Sequence, residues 1–314
     1  VTYLIAGCTH INDLVYADGR TITAQLGGSI YAVNGIKTYY DDLLFVTTAG
    51  SDFDAYFGDY YRTNQLSTSG VHQVLPHTQY NMLAYQPDGR WREHSKYGAE
   101  FEAQWAATTL IQATHILPFI NSTTQGIYLE SSVTEPIWAD LDAIYATTPH
   151  ATVMWEVATS DVETPARHAA LTACLSQVDI YSINLPEALA YFGVASEADA
   201  LAAIIAQGTT CLFRVGTKGA YMVTDGHAWF APSYDLEYSV DPTGCGNCAT
   251  GAALYGMAEG LHPLHTVILA NLAAALNARQ YGPYPAYTTT IRAAQLHRAE
   301  GEFVRLRQEQ SDVA

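Results

Sequence analysis

The segment Asp241-Pro242-Thr243-Gly244-Cys245-Gly246-Asn247-Cys248 is the stretch whose residue types and spacing point most directly to chemistry. Two glycines alternate there with small residues, and an Ala-rich helical pattern follows over Ala249–Ala258. The first turn of a helix has backbone N–H groups without intrahelical partners and carries the positive end of the dipole. Glycines ahead of it let those amides approach a ligand closely and take left-handed backbone angles. Together they make a hole for an anion such as a phosphate. The same residues would also make an ordinary tight strand–helix turn, and the segment alone does not separate the two readings. Cys245 and Cys248 form a C-x-x-C. No second pair and no histidines at ligand spacing accompany them, which sets zinc and redox roles aside.

Such a turn needs a strand before it and a helix after it, and the chain supplies both patterns repeatedly. Tyr238–Val240 reads as a short β-region leading in, and Cys248–Glu259 and Leu264–Arg279 read as helices stopped by Gly260 and Gly282. Val1–Ala6, Leu43–Thr48, His115–Phe119, Gly126–Leu129, Thr152–Val157, Asp179–Ile183 and Thr210–Val215 are short apolar runs. Helical stretches such as Ala99–Ala113 and Thr164–Leu175 lie between them. This alternation predicts a mostly parallel sheet covered on both faces. Tyr221–Phe230 reads as a hairpin around Asp225-Gly226. Two early stretches, roughly 11–26 and 71–98, break the alternation. They carry β patterns around Asp18-Gly19 and Pro87-Asp88-Gly89 and predict an extra small sheet acting as a lid. No repeat, linker or low-complexity tract divides the chain, so residues 1–314 are expected to form one domain with that lid.

Composition narrows the function classes. Of the 314 residues, 49% are hydrophobic and 14% are charged, which allows a large core and argues against disorder. A formal net charge of −17 repels nucleic-acid phosphates and anionic lipids, so neither is expected as a partner. Five cysteines at irregular spacing suit a reducing compartment. Val1–Ala6 is too short for a signal segment and lacks a basic flank, and no run is long enough to span a bilayer. The expectation is a soluble, cytoplasmic protein.

The Gly-rich segment resembles the D-T-x-G-A-G-D signature of ribokinase-like (PfkB) carbohydrate kinases. Other matches follow in the family's order. Gly27-Gly28 resembles its di-glycine motif, with Asp13 before it, and Gly50-Ser51-Asp52 its G-x-D. Asn184-Leu185-Pro186-Glu187 resembles its N-x-x-E, Val215–Ala220 its G-x-x-G-A, and Asn271–Ala275 its late Ala-rich helix. The resemblance covers almost the whole chain. It implies a three-layer α/β/α sandwich with a mostly parallel central sheet and a small β lid. It also implies ATP and Mg²⁺ as cofactors, a small sugar or sugar-like acceptor, and a homodimer formed through the exposed lid edges.

Residue by residue, the resemblance assigns the transferring phosphoryl group to the amides of Gly244, Cys245, Gly246 and Asn247. Phosphoryl transfer needs positioning and charge stabilisation more than covalent chemistry, which suits such a cradle. Asn184 and Glu187 would organise a hydrated Mg²⁺ and the ATP phosphates, although the pair also reads as a capped helix start with Pro186 just inside. Gly216 and Gly219 would lie against the nucleotide, with Asn271 near the adenine. Arg214, where the family often has Thr, reads equally as a phosphate partner and as a surface strand residue. Asp241 and Thr243 resemble the start of a loop that binds a monovalent cation, which implies K⁺. Asp13, Gly27, Gly28 and Ser29 would hold the acceptor, and Tyr16, Tyr80 and Tyr85 are the lid aromatics expected to close over it and exclude water.

Two positions depart from the family pattern. Ala32 stands where the family usually has Asn, so the acceptor contacts must differ. Asn247 stands where the family keeps its general-base aspartate, and an amide has no useful basicity. Three readings follow: a kinase slowed by the loss of that help, a kinase whose base is another group (His10, Asp13 and Asp241 are the neighbours by sequence), or a catalytically silent protein that binds sugar or nucleotide. A nucleoside acceptor is the alternative to a sugar. His72, His77 and His94 are irregularly spaced and read as surface residues.

Overall fold

The computed structural model describes residues 1–86 and 91–311. Its strands are β1 (Tyr3–Ala6), β2 (Thr9–Val15), β3 (Thr21–Gly28), β4 (Leu43–Gly50), β5 (Val71–Leu75), β6 (Gln79–Tyr85), β7 (Trp91–Ser95), β8 (Gly126–Glu130), β9 (Thr152–Glu156), β10 (Ile180–Asn184), β11 (Thr210–Arg214), β12 (Gly219–Thr224) and β13 (His227–Pro232).

Nine of them form one sheet in the order β13-β12-β11-β10-β9-β8-β1-β4-β5. The pairings from β5 across to β11 are parallel, and β12 and β13 close one edge as an antiparallel hairpin. Asp225 and Gly226, both at positive φ, make the hairpin turn. Side chains alternate between two cores. Tyr3 and Ile5 enter the core shared with helices Ile30–Lys37, Cys245–Ala258 and Pro263–Asn277, whereas Leu4 and Ala6 enter the core shared with Leu141–Thr147, His168–Leu175 and Leu185–Phe192. A strand buried on both faces reads as a continuous apolar run, which is why β1, β8 and β9 stand out in the sequence.

The second sheet, β3-β2-β6-β7, is the lid. Asp18-Gly19 lies in its first turn, while Pro87-Asp88-Gly89 falls outside the described residues. The expected lid boundary at 71 needs correction. Val71–Leu75 pairs in parallel with β4 at the edge of the main sheet, reached through helix Phe53–Thr63. Three further expectations differ. His115–Phe119 is helical, a short α-turn over Ala113–Ile116 running into Leu117–Phe119 around Pro118. Leu236–Tyr238 is a 3₁₀ turn rather than a strand before the Gly-rich loop. Gly282 lies in a later turn, because helix Pro263–Asn277 ends at Ala278, whose carbonyl accepts the N–H groups of Val240 and Asp241 at 2.7 and 3.1 Å. Gly260 does follow the first of these helices, at φ 69°. Among the described residues no single helix is long and apolar enough to cross a membrane.

Candidate active site

Strand order reverses around β1, whose neighbours are β4 and β8. In open α/β sheets the crevice outside the carboxyl ends of the strands at such a point is where ligands bind. Here those ends carry a row of polar side chains. Glu130 of β8 stands in register with Glu156 of β9, Glu156 with Ser182 of β10, and Asn184 of β10 with Arg214 of β11.

The Gly-rich segment faces this row. Gly244 is the N-cap of helix Cys245–Ala258 at φ 75°, a left-handed geometry, and the ring of Tyr31 lies where a side chain would be. The Cys245 N–H is taken by the Pro242 carbonyl at 3.1 Å, which leaves the amides of Gly246 and Asn247 as the dipole-backed cradle of the first turn. A Cβ on Gly246 would collide with Arg214 Nη1, so the guanidinium lies directly beside the cradle. Arg214 is half-buried and ion-paired with Glu156, and its buried Nε has no hydrogen-bond partner among the described residues. Burial opposes its charge, but Glu156 and Glu187 outweigh that and raise its pKa. Thr250 Oγ1 donates to Glu156 Oε2 at 2.6 Å and lies 2.8 Å from Ser182 Oγ, tying the helix to the strand ends. Burial pushes the Cys245 thiol up to about 11, overriding the lowering effect of the Asn277 hydrogen bond, and its Sγ sits 3.4 Å from Ala274 O. It is a packing residue and not a reactive thiolate.

A cavity of about 320 Å³ opens from the cradle. Asn184, Arg214, Gly216, Gly219, Gly246 and Asn271 all line it, with Ala274, Ala275 and Ala278 forming a flat apolar wall. Asn271 donates to the carbonyls of Ala231 and Pro232 at 2.8 and 3.0 Å and so fixes β13 as one wall. Gly219 adopts φ 138° and any side chain there would strike the Ala231 carbonyl. Asp235 on the rim is held by Arg279 and Arg298, which keep its carboxyl depressed to about 2, with the Arg298 hydrogen bond the largest cause.

Asn184 caps helix Leu185–Phe192. Its Oδ1 accepts the Glu187 N–H at 3.0 Å, and Glu187 Oε2 accepts the Asn184 N–H at 2.9 Å. Glu187 Oε1 accepts from Thr159 Oγ1 at 2.7 Å. Asp241 Oδ1 accepts both N–H and Oγ1–H of Thr243, bracing the loop before the cradle.

On the other side of Asn247 lies a polar cluster. Ser29 Oγ donates to Glu130, and Asn247 Nδ2 donates to Glu130 Oε2 at 3.3 Å. Gly7 makes this possible, since a Cβ there would overlap Ser29 Oγ. Gly28, at φ 81°, packs on the Cys8 carbonyl, and Gly27 lies against the side chains of His10 and Asn12. Burial lowers the His10 imidazole to about 4. Asp13 occupies a bulge between β2 and β3, and its Oδ1 accepts from Ala24 N–H and Tyr80 Oη–H at 2.8 and 2.7 Å.

The model of the pfkB family of carbohydrate kinases matches residues 35–290. The chain belongs to this family. No curated protein sequence matches it. Among solved structures, a ribokinase II candidate from E. coli in complex with ATP and Mg²⁺ superposes with a TM-score of 0.71 at 17% identity, over 95% of this chain and 99% of that one. A sugar kinase candidate from Rhizobium etli gives 0.73 at 17%, over 94% and 97%. A nucleoside kinase from Burkholderia thailandensis in complex with inosine gives 0.72 at 17%, over 96% and 98%. These likenesses fix the fold as the ribokinase-like three-layer sandwich with its lid.

In this pfkB chain most of the sequence-derived candidates fall into two groups at one crevice, while Glu187 braces Asn184 and Asp241 braces Thr243 in the loop before the cradle. Asn184, Arg214, Gly216, Gly219, Cys245, Gly246 and Asn271 line the cavity, with Gly244 capping the helix beside it, and Ser29 and Asn247 meet at Glu130 with Gly27 and Gly28 directly before Ser29. Asp13 is engaged by the lid's own groups, while His10 and Asn12 lie against the di-glycine. Tyr16 and Tyr85 stack at 5.2 Å, and Lys96 lies 3.8 Å over the Tyr80 ring. His94 is exposed and so is His77, which pairs with the half-buried Asp52, whereas His72 is half-buried against His115 at 4.5 Å. Sequence reasoning missed Glu130, Glu156 and Thr250. Glu130 and Glu156 end apolar strand runs, and an acid at the carboxyl end of a buried strand was the available signal.

Proposed function

We propose that the chain transfers the γ-phosphoryl group of ATP to a hydroxyl of a sugar or sugar-like small molecule. The observation that carries this is the placement of Asn247 between two sites: a helix-start cradle with a half-buried arginine on one side, and the Gly27-Gly28-Ser29 floor with Glu130 on the other. ATP occupies the cavity with its base against Ala274, Ala275 and Ala278 and its phosphates at the cradle. Arg214 and the amides of Gly246 and Asn247 stabilise charge on the transferring group. Bound Mg²⁺ supplies further charge neutralisation on the phosphates. Glu187 and Asn184 would hold it through water: both Glu187 oxygens already accept hydrogen bonds, and among the described residues no three His, Cys, Asp or Glu side chains gather as a direct metal cage. The acceptor lies against Gly27 and Gly28, and the lid excludes water that would otherwise take the phosphoryl group.

Asn247 itself favours a second reading, a silent binding protein. ADP release with Mg-ATP across ribose, fructose, polyols and nucleosides separates the two. Acceptor-dependent ADP in the native protein is the expected result and names the acceptor class. Silence in the native protein with activity in Asn247→Asp supports the binding protein.

A further inference from the structure

We infer that Glu130 is the general base of this enzyme, taking the proton that Asn247 cannot accept. The inference rests on the phosphotransferase reading above and deepens it.

The geometry carries the assignment. Glu130 ends β8 at the crevice, and its Oε2 lies 3.3 Å from Asn247 Nδ2, so the carboxylate is displaced by one hydrogen bond from the side chain beside the phosphoryl cradle. Asn247 donates to it and Ser29 donates to it. Ser29 begins helix Ile30–Lys37 directly after the di-glycine floor, so the carboxylate faces the space between acceptor floor and cradle. Gly7 clears the room for this contact. The side chain at 247 thus orients a base instead of being one. A base needs hydrogen-bond reach to the proton it removes and a pKa near the working pH.

Burial, the largest cause, pushes the Glu130 carboxyl up to about 7; Glu156 across the sheet adds to the rise, while the Ser29 and Asn247 hydrogen bonds oppose it. The other ionisable groups around it are Cys8, with His10 3.9 Å behind its sulfur, Tyr128 two residues earlier on β8, Glu135 in the following turn, and Arg214, which pairs with Glu156. Burial holds Cys8 and Tyr128 neutral, raising both thiol and phenol well above their ordinary values. Of Cys8, Tyr128 and Glu130, Glu130 is therefore the group that changes charge near neutral pH.

In the step, the acceptor O–H bond breaks and its proton passes to the Glu130 carboxylate. The oxygen's electron pair forms the new bond to the γ-phosphorus, and the bond to the β–γ bridging oxygen breaks, with ADP leaving on that pair. Glu130 then returns its proton to water after product release.

The test uses the full chain with Mg-ATP and the acceptor panel of ribose, fructose and inosine. Native protein, Glu130→Gln, Asn247→Asp and the double variant are compared for kcat, acceptor KM, ATP affinity and pH profile, with thermal midpoints recorded for each. The expected native kcat/KM falls as pH drops through about 7, because the base must be unprotonated. Glu130→Gln is expected to lower kcat by about 10²–10⁴-fold, to remove that limb, and to leave ATP affinity and folding intact. Adding Asn247→Asp to Glu130→Gln is expected to recover rate with a different pH limb. An acceptor KM that rises in Glu130→Gln while kcat and the limb persist would overturn the assignment and leave the kinase reading standing. Turnover gained only with Asn247→Asp, or no turnover from any of the four proteins, would overturn it too, the last by removing the kinase reading itself.

Discussion

At the residue scale, Arg214 is the side chain whose two readings the sequence left equal, and its surroundings separate them. It is no surface residue: its side chain is 14% exposed, Glu156 is 9% exposed, and the two are ion-paired beside the cradle. Removing one partner of such a pair leaves an uncompensated buried charge, which costs about 3–5 kcal/mol, whereas replacing both with apolar groups is often nearly neutral. Arg214→Met should accordingly lower unfolding free energy by about that amount, and Arg214→Met combined with Glu156→Leu should recover most of it, as read by urea denaturation. Thr250 and Ser182 would still partner each other at 2.8 Å in the double variant. ATP affinity should fall in both, because the phosphate loses its cation either way. Equal stability of the single and double variants would show that the pair is not a coupled unit. The glycines and Asn247 were legible because they sit in a dense motif. Glu130 and Glu156 were not, because each is a lone acid whose role appears only when parallel strands bring their ends into one row.

At the element scale, what matters is how the phosphoryl cradle and the acceptor floor keep their distance. Each is the start of a helix: Cys245–Ala258 for the cradle, Ile30–Lys37 for the floor. These helices touch backbone to backbone. A Cβ on Gly251 would strike the Ala32 carbonyl, and one on Gly35 would strike the Cys248 carbonyl. Ala32, the position that departs from the family pattern, is thus part of this crossing. Overpacking a tight contact costs about 1–3 kcal/mol, and here backbone atoms rather than a flexible side chain must move. Gly251→Ala should therefore lower stability by about that much and also reduce acceptor-dependent turnover, since it separates the two helix starts. Loss of stability with unchanged turnover would mean that the crossing does not set the site. The residue pattern disclosed the helix after the Gly-rich segment and most strands. It did not disclose which sheet would receive Val71–Leu75, because a strand's pairing partner is decided by the helix that carries the chain across, here Phe53–Thr63, and not by the strand's own residues. His115–Phe119 misled for a related reason: a short apolar run has no period long enough to distinguish a buried strand from a buried turn of helix.

At the scale of the whole molecule, the crevice has two halves served by different parts of the fold. The proposed nucleotide half is built from the main body, from β11, the β12–β13 hairpin and the helices after Gly244. The proposed acceptor half lies where the lid joins the body, at Cys8–His10 and Gly27–Ser29. With a net charge of −17, the protein offers ATP no general attraction, so the phosphates depend on the local amides and Arg214. This division predicts an asymmetry in hydrogen exchange. A non-hydrolysable ATP analogue with Mg²⁺ should slow exchange at the amides around Gly216–Gly219 and at the start of helix Cys245–Ala258, while leaving β2, β3 and β6 nearly unchanged. The lid strands should slow only when an acceptor is added. The reason is that local opening is governed by the contacts each unit makes, and the lid's own contacts to the nucleotide half are sparse: Asp13 is bonded to Ala24 and Tyr80 within the lid itself. Stacked Tyr16 and Tyr85 are the exception, lying close enough to Asp241 for that carboxylate to raise both phenols beyond the effect of burial. Full lid protection by the nucleotide analogue alone would place the coupling at this aromatic pair and show that the lid senses the phosphate loop before it senses the acceptor.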